Sequence, residues 1–244
     1  MEETVSHFEK SIKNRSAVFG EDSAEVATGL NNLAESLRAQ GKLDEAKPLF
    51  EEALAISKQV LGDDQPFVAT LLNNLAALLM AQGNLEEAKP LLEEAMKIDL
   101  GVHGGDHPDV ARDLHNLAEL LESEGKYDEA RSTYEEAMKI DIRVLGRDHP
   151  DVATDLNNLA LLLQAQGKLD EVKPLYEEAI GIWKRSLGAD HPSVATGLNN
   201  LAELSLAQGR EDEANSLGKE ALAIYERALG PDHPCTIEAR EDWG

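Results

Sequence analysis

Residues 146–187 read GRDHPDVATDLNNLALLLQAQGKLDEVKPLYEEAIGIWKRSL, and nearly the same string recurs on both sides of them. Gly20, Gly62, Gly104, Gly146, Gly188 and Gly230 follow one another at intervals of 42 residues, and His107-Pro108, His149-Pro150, His191-Pro192 and His233-Pro234 keep the same interval. The core Leu156-Asn157-Asn158-Leu159-Ala160 returns as Leu30 to Ala34, Leu72 to Ala76 and Leu198 to Ala202, with His115 replacing the first Asn in Leu114 to Ala118. A fixed period of this length marks an array of stacked units rather than a closed globule.

Each unit reads as two helices. Asp148-His149-Pro150 is a start signal, since a polar capping segment precedes a proline suited to the first helical position. Val152, Leu156, Leu159, Ala160 and Leu163 then recur at helical spacing as one apolar stripe. Gly167 ends this helix as a left-handed terminal residue. Asp170 and Glu171 open the second helix at the positive end of its dipole. Its stripe is Val172, Leu175, Tyr176, Ala179, Ile180 and Leu187, and Gly188 closes it. Pro48, Pro90 and Pro174 fall about four residues into second helices, where at most the first hydrogen bond is lost. No stretch alternates in the manner of a strand.

The expected fold is all-α: a right-handed superhelical solenoid of antiparallel helix pairs, with about twelve helices in a single domain over 1–244. An orphan second helix occupies 1–19, aligning Phe8 with Phe50 and Ile12 with Leu54. Full repeats follow at 20–61, 62–103, 104–145, 146–187 and 188–229, and 230–244 begins a sixth. The two cut ends leave apolar surface, so weak end-to-end self-association is expected.

The formal charge of −24 disfavours nucleic acid and anionic membrane as partners and favours basic ones. Cys235 is the sole cysteine, so no internal disulfide forms, which fits a reducing, cytoplasmic setting. No apolar run is long enough to span a membrane, and Met1-Glu2-Glu3-Thr4 does not open a signal peptide.

The pattern Leu159-Ala160, Leu163, Gly167, Val172, Tyr176 and Ala179, with Ala46, Ala88, Ala130 and Ala214 at the Val172 position, resembles the tetratricopeptide repeat. The 42-residue period, the Leu-Gly-x-Asp-His-Pro linker and the Leu-Asn-Asn-Leu-Ala core are more narrowly similar to kinesin light chain and nephrocystin-like arrays. The resemblance implies a superhelix whose concave face is lined by first helices, with ligand contacts at a stripe spaced i, i+4, i+7, i+11. On this chain the stripe is Thr154, Asn158, Leu161 and Ala165 in the fourth repeat and Thr196, Asn200, Glu203 and Ala207 in the fifth. In the third it is Arg112, Asn116, Glu119 and Ser123.

Asn32, Asn74, Asn116, Asn158 and Asn200 thereby form a ladder down the implied groove. A side-chain amide pairs with both the N–H and the C=O of an extended peptide. It can equally bond to the neighbouring repeat, and the two roles are compatible. The third repeat departs from the rest at Arg112, His115 and His103, where a specific partner would be read unless the changes are neutral. Family members that grip acidic peptides do so with several Lys and Arg on the stripe. Here Arg112, and Arg38 beside the stripe, face Glu35, Glu119 and Glu203, so the expected peptide is neutral or basic. His103, His107, His115 and Glu119 can be drawn as a metal set, but histidine before proline is a repeat feature, so no metal and no cofactor are assigned. Trp183, where other repeats carry Ser57, Asp99, Asp141 and Tyr225, is expected half exposed on the outer surface.

No phosphate-binding loop, nucleophile elbow or zinc-protease motif occurs. Pairs such as Glu51-Glu52 and Glu135-Glu136 recur in register as solvated faces. The chain therefore reads as a non-enzymatic scaffold that binds a protein segment. A self-assembling module and the sensor arm of a larger signalling protein or enzyme stand as alternatives.

Overall fold

The computed structural model describes the backbone of residues 2–244 and side chains from residue 10 onward, so the Phe8 equivalence lies outside the described side chains. Among the described residues there are twelve α-helices and no strand. They fall into two compact units, one ending at Lys126 and one running from Tyr127 to Gly244. The first holds α1 (Glu2–Phe19), α2 (Ala24–Ala39), α3 (Leu43–Leu61), α4 (Pro66–Ala81), α5 (Leu85–His103) and α6 (Pro108–Ser123). The second holds α7 (Tyr127–Leu145), α8 (Pro150–Ala165), α9 (Leu169–Ser186), α10 (Pro192–Ala207), α11 (Glu211–Ala228) and α12 (Pro234–Trp243). Within each unit every helix packs on its sequence neighbours, and in the first α4 also meets α2 and α6.

The start signal resolves to the histidine. The Nδ1 atoms of His107, His149, His191 and His233 accept the backbone N–H two residues on, at 3.2, 3.3, 3.2 and 3.3 Å. An imidazole thus caps each helix in place of a hydroxyl or carboxylate, which puts the neutral ring's proton on Nε2. At the other end Gly167 takes φ +73. Its N–H bonds to the Gln164 carbonyl and that of Lys168 to the Leu163 carbonyl, both at 2.9 Å, closing the helix with a left-handed residue that has no Cβ to clash. Pro48 lies deeper than the sequence suggested. It is the sixth residue of α3, so its ring removes the bond to the Asp44 carbonyl, yet the helix runs on to Leu61.

The hairpins close on small residues, Ala46, Ala88, Ala130, Val172 and Ala214 all being fully buried. Phe50, Leu92, Tyr134 and Tyr176 fill the space beside them. Gly218 stands at the next such position, and a Cβ there would collide with the Trp243 indole, so α12 supplies the ring that α11 lacks. Ile12 on α1 and Leu54 on α3 pack against the same core clusters.

Trp183 corrects an expectation: it is only 4% exposed, not half exposed. Its Nε1 donates to the Pro150 carbonyl at 3.2 Å. The ring lies over Gly197 of α10, where an added Cβ would come within 3.1 Å of Trp183 Cζ3 and 2.7 Å of Ile180 Cγ1. Absence of a side chain on α10 makes the room that buries the tryptophan.

Candidate functional site

In the first unit the Asn-bearing stripe lies on α2, α4 and α6. Asn32 is exposed, whereas Asn74 and Asn116 are half-buried. Asn74 Nδ2 donates to Asn31 Oδ1 at 2.9 Å, and Asn116 Nδ2 donates to Asn73 Oδ1 at 3.0 Å. Asn200 repeats the bond to Asn157 at 2.8 Å in the second unit. Asn74, Asn116 and Asn200 therefore each reach back to a buried Asn of the preceding repeat. One N–H of the amide is committed by this bond, and the geometry fixes where the other N–H and the carbonyl oxygen point.

Charges on the face are arranged in opposition. Arg38 grips Glu35 through Nε at 3.2 Å and Nη2 at 3.0 Å. Glu119 projects from α6, and withdrawal of water from its carboxyl pushes its pKa up, partly offset by His115 and Arg38.

Arg112 is committed elsewhere. Its Nη1 holds Asp109 at 2.7 Å and its Nη2 holds the fully buried Asp99 at 3.2 Å. The equally buried Asp113 stands beside the same guanidinium, 4.0 Å from Arg112 Nη2. Asn73 Nδ2 donates to Asp113 Oδ1 at 2.6 Å. Burial raises the Asp113 pKa to about 7 and raises that of Asp99 as well. A polar chain thus runs from Asn116 on the face through Asn73 and Asp113 to Arg112, which also holds Asp99 and Asp109, where His103 and His107 stand. Of the imagined metal set, His103 and His107 meet each other and Asp109. His115 and Glu119 lie a full turn and more further along α6.

In the second unit Asn158 is half-buried and Leu161 is 41% exposed on α8. Glu203 on α10 lies at a cavity of about 290 Å³ lined by Thr196, Asn199, Asn200, Tyr225 and Glu238. Desolvation raises the Glu203 pKa, and Asp242 adds to it. Asn199 Nδ2 donates to Glu203 Oε1 and its Oδ1 accepts from Trp243 Nε1, both at 2.7 Å.

Sequence reasoning missed the buried Asn31, Asn73 and Asn157 and the Asp99–Asp113 pair. A signal existed: Ser57/Leu71, Asp99/Asp113, Asp141/Asp155 and Trp183/Gly197 recur at one spacing, and Asp113 interrupts an apolar stripe between Val110 and Leu114.

The tetratricopeptide repeat family model matches in six overlapping segments, residues 1–59, 25–99, 67–141, 114–182, 156–227 and 198–244. No curated protein sequence matches the chain. Among solved structures, BtubC (BKLC) from P. vanneervenii superposes with a TM-score of 0.74 at 24% identity, covering 96% of this chain and 93% of that one. A candidate kinesin light chain from Podosopora anserina with nearly identical TPR-like repeats gives 0.63 at 28% identity, over 82% and 95% of the two chains. The Rap conjugation gene regulator of plasmid pLS20, in complex with the Phr* peptide, gives 0.73 at 14% identity over 89% of this chain and 56% of that one. With the family model spanning every repeat, the chain belongs to the tetratricopeptide repeat family.

Proposed function

We propose that the chain is a protein-interaction scaffold that holds an extended, neutral or basic protein segment against the Asn-bearing face of each unit. The observation that carries this reading is the pinned asparagine. Each of Asn74, Asn116 and Asn200 spends one N–H on the preceding repeat, which fixes the amide and leaves an N–H and a carbonyl oxygen for a peptide backbone. A side chain already ordered by the fold loses little entropy on binding. Glu119 and Glu203 set the charge preference, because Arg38 and Glu35 neutralise each other and Arg112 is paired with two aspartates. The Rap regulator, similar in fold, is itself held in complex with a peptide. Among the described residues no helix is long and apolar enough to cross a membrane, and the lone Cys235 suits a cytoplasmic setting.

An array of extended peptides graded from acidic to basic tests the reading. Basic and neutral peptides should bind wild type, bind less as salt rises, and bind Asn74→Ala/Asn116→Ala more weakly while circular dichroism stays unchanged. Preferential capture of acidic peptides would overturn the charge assignment. Unchanged affinity in the double variant would overturn the role of the ladder.

A further inference from the structure

The corner between α5 and α6 brings together three metal-ligating groups that the proposed scaffold does not use. Asp109 Oδ2 lies 3.3 Å from His107 Nδ1 and 3.6 Å from His103 Nε2. The two imidazoles stack with centroids 3.9 Å apart and planes 8° from parallel, so their nitrogens face the same carboxylate. All three ligand atoms lie within 4.8 Å of one another. Ligands about 2.1 Å from a tetrahedral zinc ion stand about 3.4 Å apart, and the two measured separations bracket that value.

The corner also has an electrostatic deficit. His107 Nδ1 accepts the Asp109 backbone N–H, so it carries no proton to offer Asp109 Oδ2, 3.3 Å away. Two acceptors therefore face each other with no proton between them. His103 Nε2 is shielded from solvent and has no hydrogen-bond partner. Behind the three groups, Asp99, Asp109 and Asp113 share the single guanidinium of Arg112. Arg112 Nη1 holds Asp109 Oδ1 at 2.7 Å, which leaves Oδ2 aimed at the two rings, as an outer partner orients a metal ligand.

The arrangement is peculiar to this corner. His149 and Asp151 repeat the pair at 3.5 Å as part of ordinary helix capping. The position of His103 is Leu61, Leu145, Leu187 and Leu229 in the other repeats, so no third ligand arises there. We infer that His103, His107 and Asp109 form a binding site for a divalent transition metal of the zinc type, with the fourth coordination position left to water or to a donor from outside the chain. Imidazole and carboxylate suit zinc better than the all-oxygen shells that calcium and magnesium require. On binding, His107 Nδ1 exchanges its capping hydrogen bond for the metal bond, and the net charge of −24 draws cations toward the chain.

The test uses the full, untagged chain after chelator treatment, titrated with Zn²⁺ by calorimetry and with Co²⁺ by visible absorption. Wild type should take up one ion in a saturable step, with d–d bands of nitrogen–oxygen coordination and a raised melting temperature. His103→Leu, which installs the residue of the other repeats, should lose at least tenfold in affinity together with the thermal shift. Asp109→Ser, the residue found at position 193, serves as a second variant should the first fail to fold. His149→Ala, at the two-group corner, should leave the stoichiometry unchanged. Absence of a saturable step in wild type, or a step that survives both His103→Leu and Asp109→Ser, overturns the site.

Discussion

Asp113→Asn isolates the buried carboxyl pair. Asp113 has no exposed side-chain surface, and its pKa stands near 7 instead of 3.8, chiefly because burial disfavours its anion. Between those two values the folded chain keeps a proton that the unfolded chain releases. Stability therefore falls as pH rises, by about 1.4 kcal/mol per unit. The contribution is complete below pH 3.8 and lost above about 7. From pH 5 to pH 7, where Asp113 is half ionised, the loss amounts to about 2 kcal/mol, or roughly 4–8 °C in melting temperature for a chain of this size. Asn at 113 keeps an oxygen for the Asn73 amide and the same shape, so packing and that bond are retained while the titration is removed. Melting followed by circular dichroism at half-unit steps from pH 5 to 8 should show wild type declining and Asp113→Asn much flatter. Comparing the two proteins cancels the titration of the surface carboxylates. Parallel curves would refute the assignment of a retained proton to this pair.

Three further outcomes are expected. Gly197→Ala forces a methyl against Ile180 Cγ1 and Trp183 Cζ3, at 2.7 and 3.1 Å, and should cost about 1–3 kcal/mol in chemical denaturation while shifting Trp183 fluorescence to the red. Gly218→Tyr, which restores the Tyr176 pattern, should destabilise the second unit because the Trp243 indole already fills the space, and adding Trp243→Leu should recover the loss; a double variant no better than the single one would show that the two positions do not exchange volume. His149→Ala removes the Nδ1 acceptor at the start of α8 and should cost about 0.5–2 kcal/mol, read from the melting curve and from faster amide exchange in the first turn.

Much of the fold was legible in one repeat. Glycine at two fixed places, proline at the start of first helices and apolar residues at helical spacing are local instructions that need no distant partner, so the helix bounds followed from them. The placement of Pro48 one bond deeper, and the histidine rather than its neighbours as cap, depend on backbone geometry of a residue or two and escaped the pattern. Sequence also marked the asparagine stripe, because identical residues at a fixed period must occupy identical sites.

What only tertiary structure decided is which side chains meet across helices. Asn116 reaches the first Asn of the previous repeat, Trp183 is buried because α10 offers Gly197, and Trp243 fills the place left by Gly218. Arg112, which sequence placed on the binding stripe, spends its charge on Asp99 and Asp109. Asp109, unremarkable in sequence, turns out to join His103 and His107. The physical reason is that propensity, capping and period act within one helix or turn, whereas pairing of volumes and charges across an interface depends on where residues on different helices come to rest, as far as 43 positions apart for Asn74 and Asn31.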